Sequence, residues 1–203
     1  MKSLHHRHII QLLQVFETRH KTYLVMEYAP RGCLLEYINK CGFLNEAEAC
    51  TMFTELCLAV KYIHSQNIAH RDIKAENILL DCEGHVKLTD FGLSKRLTSG
   101  EKFKGFCGTA QYCAPEVLGH TPYDGLPADI WSLGVVLYYS VIGHLPFQET
   151  VHSKIRYMIL SQSCWIPYLL SPELRDLLMR LMTIDATMRP SIKEVLAHPW
   201  LHH

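Results

Sequence analysis

The sequence predicts an α+β chain: a few short strands near its start and a mostly helical remainder. Three features of its 203 residues carry that reading. β-type runs bounded by turn residues occur only before Asp90. A capped, one-faced helical pattern spans 45–66. From Asp129 onward, apolar runs and helix-start signals dominate.

The run TYLVMEY at Thr22–Tyr28 is rich in β-branched and aromatic residues and is closed by Pro30 and Gly32, so it reads as a strand. Asn45 to Gln66 reads as one long helix. Asn45 can cap it, and Glu48 three residues on completes a capping-box pattern. Met52, Phe53, Leu56, Val60 and Ile63 then recur at three- and four-residue steps and make one apolar face. Asn77–Leu80 and His85–Thr89 flank Cys82-Glu83-Gly84 as a hairpin. Ile130–Ile142 is shorter than the about 20 apolar residues a bilayer span needs, so it reads as a buried core helix. Ser171-Pro172 starts a helix with proline at its first position. Ser191 and Glu194 start another with a second capping box.

Composition narrows the function classes. Lys+Arg and Asp+Glu are both 20, so no basic excess favours nucleic acid or a membrane surface as partner. With 48% apolar residues the chain can bury one sizeable core. The opening MKSLHHRHII has no apolar secretory segment, and none of the eight cysteines forms a C-x-x-C pair. An intracellular, cytoplasmic protein with reduced thiols is expected. The histidine groups His5, His6, His8 and His202, His203 lack partner ligands at metal-binding spacing.

Chemistry-bearing residues concentrate between His70 and Glu116. His70-Arg71-Asp72-Ile73-Lys74-Ala75-Glu76-Asn77 is followed 18 residues after Asp72 by Asp90-Phe91-Gly92, and 24 residues after Asp90 by Ala114-Pro115-Glu116. In this order and spacing the motifs resemble those of the eukaryotic protein kinase family. The resemblance runs from Met1 to His198-Pro199-Trp200. Phosphoryl transfer needs an oriented acceptor hydroxyl and cation charge on the phosphates, and oxygen ligands suit Mg²⁺. Asp, Asn and Asp at these places are also ordinary turn residues that satisfy local backbone groups.

The resemblance implies a protein-kinase-like α+β fold, with residues 1–28 a remnant of the small lobe and 29–203 the large lobe. It implies ATP and Mg²⁺ as cofactors and a protein substrate with a Ser or Thr acceptor. Asp72 becomes the catalytic base, Lys74 the phosphate-facing cation, and Asn77 and Asp90 the metal ligands. Met26, Glu27, Ala29 and Leu79 would surround the adenine, though the apolar ones also suit plain core packing. Glu76 would favour basic substrates. His70, Arg71, Phe91 and Gly92 would shape the two loops, and Thr109 would lie against Asp72 and Lys74. Asp129 resembles a helix-start aspartate bracing the catalytic loop, with a simple helix cap as the other reading. Glu116 and Arg189 resemble an ion pair. Ile9-Ile10-Gln11-Leu12, Phe106-Cys107-Gly108-Thr109 and Leu145-Pro146-Phe147 are similar to the calcium/calmodulin and AMP-activated kinase-related group, closest to microtubule-affinity-regulating and sperm motility kinases.

The chain departs from the family pattern in three places. It contains no G-x-G-x-x-G and no V-A-I-K, and by the resemblance Met1-Lys2-Ser3-Leu4 corresponds to the last turn of the small-lobe helix. An N-terminally incomplete domain, weak or inactive as this chain, is therefore expected, with an open apolar edge on TYLVMEY and reduced cover on Ile9, Ile10 and Leu12. Arg31-Gly32-Cys33 stands where relatives have Gly-Gly-Glu, and Tyr139 where some carry Glu, which weakens preference for basic substrates. Gly105 stands where relatives carry a phosphorylatable Thr, so Arg71 would need another anion: Glu101, or phosphate on Thr98 or Ser99. A non-catalytic, kinase-like docking protein is the alternative function.

Overall fold

A computed structural model describes residues 4–98, 101–119, 121–161 and 164–202. Met1–Ser3, which begin the expected small-lobe remnant, and Ser99 lie outside them. Among the described residues, six strands pair into three small antiparallel sheets: β1 (Leu12–Glu17) with β2 (Thr22–Met26), β3 (Ile68–Ala69) with β6 (Lys95–Arg96), and β4 (Ile78–Leu80) with β5 (Val86–Leu88). The described residues also form six α-helices, which supply the body: α1 (Leu34–Cys41), α2 (Glu46–Ser65), α3 (Gly125–Ile142), α4 (His152–Leu160), α5 (Pro172–Leu181) and α6 (Ile192–Leu196).

α2 forms as its pattern requires. Asn45 Oδ1 accepts from Glu48 N, Glu48 accepts in return from Asn45 N, and Phe53, Leu56, Val60 and Ile63 are buried. The β4–β5 hairpin turns on Asp81, whose Oδ1 accepts from Glu83 N and His85 N while Gly84 takes φ +94. Serine caps α5 and α6 as the sequence predicts, with Pro172 in the first turn of α5.

α3 is the core of the molecule. It is long and apolar enough to cross a membrane, yet 14 of its 18 residues are buried within the fold. Its start differs from the reading of Asp129 as a helix cap. Asp124 is the cap, accepting from Leu126 N at 3.0 Å, and Asp129 lies more than one turn inside. Pro127 hides the earlier start in the sequence, but in the first turn a proline sacrifices no helical hydrogen bond.

Glu46 ties three elements together. It accepts from Ser171 N and Oγ at the start of α5 and from Trp200 Nε1, whose ring packs on Phe53. The β1–β2 hairpin is the least covered part: Leu13, Phe16, Tyr23 and Leu24 are each about half exposed or more. Ile9 and Ile10, by contrast, are buried, against the expectation that they lose cover. Ile10 N donates to Leu88 O and Leu88 N to His8 O, which stitches this segment onto β5; Ile9 joins the hydrophobic core and Ile10 is buried beside it.

Candidate active site

Asp72, Lys74, Asn77 and Thr109 converge on one hydrogen-bonded cluster. The loop between β3 and β4 carries the first three, and a short 3₁₀ turn at Ala75–Asn77 brings Asn77 back over Asp72. Asp72 is 8% exposed, and both of its oxygens are engaged. Thr109 Oγ1 donates to Oδ1 at 3.0 Å, while Asn77 Nδ2 at 3.1 Å and Lys74 Nζ at 2.9 Å reach Oδ2. Lys74 Nζ also donates to Thr109 Oγ1 at 2.9 Å. Such charge-assisted bonds are short and directional, and together they fix the direction of the carboxylate.

The loop is built on two supports. His70 is fully buried; its Nε2 donates to Thr89 O at 3.0 Å and its Nδ1 accepts from Asp72 N at 3.3 Å. That pattern requires a neutral ring. Burial pulls the His70 pKa below its usual value, outweighing the Asp129, Asp72 and Asp90 carboxylates that push it up. Below, Asp129 accepts from His70 N at 2.8 Å, Arg71 N at 2.9 Å and His64 Nε2 at 2.9 Å. Arg71 and Asp90 both hold positive φ, +67 and +59, a conformation non-glycine residues keep only where their surroundings enforce it.

Asp90 precedes a 3₁₀ turn at Phe91–Leu93 and accepts from Gly92 N through Oδ1. Phe91 is buried edge-on to His70, with ring centroids 4.8 Å apart, so the second loop is pinned to the first. Asn77 spends its amide protons on Asp72 O and Oδ2, which leaves its Oδ1 for other use. An amide oxygen and an exposed carboxylate form a hard donor pair. The described residues hold no cluster of three or more His, Cys, Asp or Glu ligands. Mg²⁺ is commonly held by one or two protein oxygens plus substrate phosphates, so this pair fits it.

Around the cleft, Arg31 N donates to Leu80 O and Leu80 N to Gly32 O, so the segment after β2 runs beside Leu79. Glu27 spends its N–H on Gln11 O and its carboxylate on Lys87 and Gln11 N, leaving its carbonyl. Among the described residues, Ala29 makes no backbone hydrogen bond. Met26 ends β2 at 40% exposure. Glu76 is exposed near Tyr112, whose phenol is pushed up by burial and by Glu76. Glu116 and Arg189 form a bidentate pair at 2.6 and 2.7 Å. A groove near α2, α3 and α6 does not include Asp72, Asn77 or Asp90.

The protein kinase domain family matches residues 1–201. The chain belongs to the protein kinase domain family. Sperm motility kinase 3A of Mus musculus is 47% identical over 196 residues, which cover 97% of this chain and 39% of that protein. The probable serine/threonine-protein kinase MARK-A of Dictyostelium discoideum is 41% identical over 201 residues, 99% of this chain and 19% of its own. Serine/threonine-protein kinase SIK2 of Gallus gallus is 42% identical over 201 residues, 99% of this chain and 25% of its own. The chain thus spans less than half the length of each relative.

Some residues of this kinase-family chain escape a sequence reading. Gly108 holds φ +96, and a Cβ there would stand 2.5 Å from Arg71 O, so glycine lets the Thr109 segment close on the loop. Phe103 lies under the Arg71 guanidinium, 4.3 Å from carbon to ring centre. Glu101, the expected substitute anion for Arg71, pairs with Lys95 and Thr98 instead. No spacing rule signals the ring contact, because the partners are distant in sequence.

Proposed function

We propose that this chain carries the catalytic loop of a protein kinase that transfers the γ-phosphoryl group of ATP to a serine or threonine hydroxyl of a protein. The observation that carries this reading is the Asp72 carboxylate held by Thr109, Lys74 and Asn77. In the transfer, the acceptor Oγ bonds to phosphorus and the bond from phosphorus to the bridging oxygen of ADP breaks. Asp72 orients the acceptor and takes its proton, and Lys74 faces the transferred phosphoryl group. Asn77 Oδ1 and Asp90 would hold Mg²⁺, which would neutralise phosphate charge. The Glu27 carbonyl and the Ala29 backbone offer acceptor and donor groups for an adenine edge, with Leu79 beneath. The free thiols of all eight cysteines suit a reducing, ATP-containing compartment such as the cytoplasm.

The test supplies the glycine-rich loop and lysine that this sequence does not contain, by fusing the small lobe of a relative such as SIK2 ahead of Met1. With Mg-ATP, the fusion is expected to phosphorylate serine and threonine peptides and not the matching tyrosine peptide. A folded fusion that binds Mg-ATP and transfers nothing would favour the docking function.

A further inference from the structure

Arg71 carries a full charge, and its guanidinium meets no Asp or Glu among the described residues. Its Nε donates to Leu93 O at 2.7 Å, and its face lies on the Phe103 ring at 4.3 Å. Phe103 is 4% exposed and sits in a built slot. Its N–H donates to Tyr123 O at 2.8 Å and its carbonyl accepts from Tyr123 N at 3.0 Å. Beneath the ring, a Cβ on Gly125 would stand 2.5 Å from Phe103 Cε2, so the slot exists only because residue 125 is glycine. Lys95 Nζ approaches the same ring at 5.5 Å and is itself paired with Glu101. The carboxylate in this segment therefore serves Lys95, while the ring serves Arg71.

We propose that Phe103 is a positioning residue for Arg71. Its π face holds the guanidinium and ties the segment after Asp90 to the catalytic loop without any covalent modification. A ring face attracts a cation, most strongly where water is excluded. Gly105, two residues on, has no hydroxyl to phosphorylate. Thr98 already donates its hydroxyl to Glu101 Oε2 at 2.8 Å, so a phosphate there would meet a like charge. The consequence for catalysis rests on the phosphoryl-transfer reading above; the latch itself does not.

The test uses the whole 203-residue chain, shown by intact mass to be unphosphorylated. Hydrogen exchange is followed at the Arg71 Nε–H and at the amides of residues 101–109, with α5 amides as a folding control. Position 103 carries Phe, 4-fluoro-Phe, 3,4-difluoro-Phe or, in Phe103→Leu, no ring. Fluorine withdraws charge from the π face while keeping the ring; 4-fluoro-Phe leaves the Cδ2–Cε2 edge against Gly125 unsubstituted, and 3,4-difluoro-Phe does so with its second fluorine at Cε1. Exchange should be slow in the unphosphorylated parent and rise stepwise with fluorination. It should rise roughly tenfold in Phe103→Leu, with α5 unchanged. If Phe103→Leu loosens α5 as well, the fluorinated pair decides. Fluorinated chains that exchange like the parent would overturn the proposal, and so would protection of the parent that appears only after phosphorylation. A fused chain without transfer activity but with the stepwise exchange pattern would defeat the catalytic reading and leave the latch standing.

Discussion

Asp129 Oδ1 accepts the backbone N–H of Arg71 at 2.9 Å, so the buried helix α3 holds the His70–Asn77 loop by its main chain. Oδ2 takes the neighbouring N–H of His70 at 2.8 Å. The two bonds fix Arg71 at φ +67, which no local preference would maintain.

Asp129→Ala removes the acceptor and leaves two backbone donors unpaired at the centre of the fold. At about 1–3 kcal/mol for each buried orphan, urea unfolding should show a loss of about 2 kcal/mol or more. The fused chain should also lose transfer. An unchanged urea midpoint would contradict the bracing role.

Two glycines on one segment should respond differently. Gly108 and Gly105 both hold positive φ, but a Cβ at 108 would press on Arg71 O, whereas nothing lies within 4 Å of one at 105. Gly105→Ala should cost only the backbone strain, about 1–2 kcal/mol. Gly108→Ala should cost clearly more and lower transfer in the fused chain. Equal shifts in thermal midpoint would argue against close packing of Thr109 on the loop.

The contrast shows what the sequence discloses. Asp72, Lys74, Asn77 and Asp90 stand in contiguous motifs, so spacing alone could group them. The capping boxes at Asn45 and Ser191 are equally local. α3 starts before Asp129 because a first turn tolerates both Gly125 and Pro127, which no apolar periodicity marks as helical. α1 was not anticipated, because Cys33 makes no side-chain cap and the helix is only eight residues long. The Phe103 slot depends on Tyr123 and Gly125 meeting it across the fold, and no periodicity encodes that. The division at residue 28 between small-lobe remnant and large lobe remains a proposal drawn from the resemblance.

Arg189 should be intolerant of change. Its side chain is fully buried, and its nitrogens donate to both Glu116 oxygens and to the carbonyls of Thr183, Ile184 and Pro127. Arg189→Ala leaves the Glu116 carboxylate without its partner and should cost about 3–5 kcal/mol. Arg189→Lys keeps the charge but not the fork, and should recover only part of that. Urea titrations of both variants check the order; a lysine variant as stable as the parent would contradict the bidentate account.

Acid should weaken the fold through His70. Burial holds its folded pKa below the usual 6.5, despite the opposing pull of Asp129, Asp72 and Asp90. The unfolded chain therefore takes up the proton first. The stabilisation is fully present above 6.5 and is lost as pH falls through that value toward the lowered folded pKa. His6 and His8 are also lowered, chiefly by burial, and act in the same direction. In denaturant titrations across this range, His70→Gln should have a shallower pH dependence than the parent by at most one proton. Parallel curves would show that His70 is not held neutral.

The central claim is that Asp72 steers the acceptor hydroxyl while the metal and nucleotide are held elsewhere. Steady-state kinetics of the fused chain with and without Asp72→Asn tests it most directly. The account predicts a fall in kcat of about a hundredfold to ten-thousandfold, with the KM for ATP nearly unchanged. A kcat within twofold of the parent, or a loss confined to the KM for ATP, would contradict it.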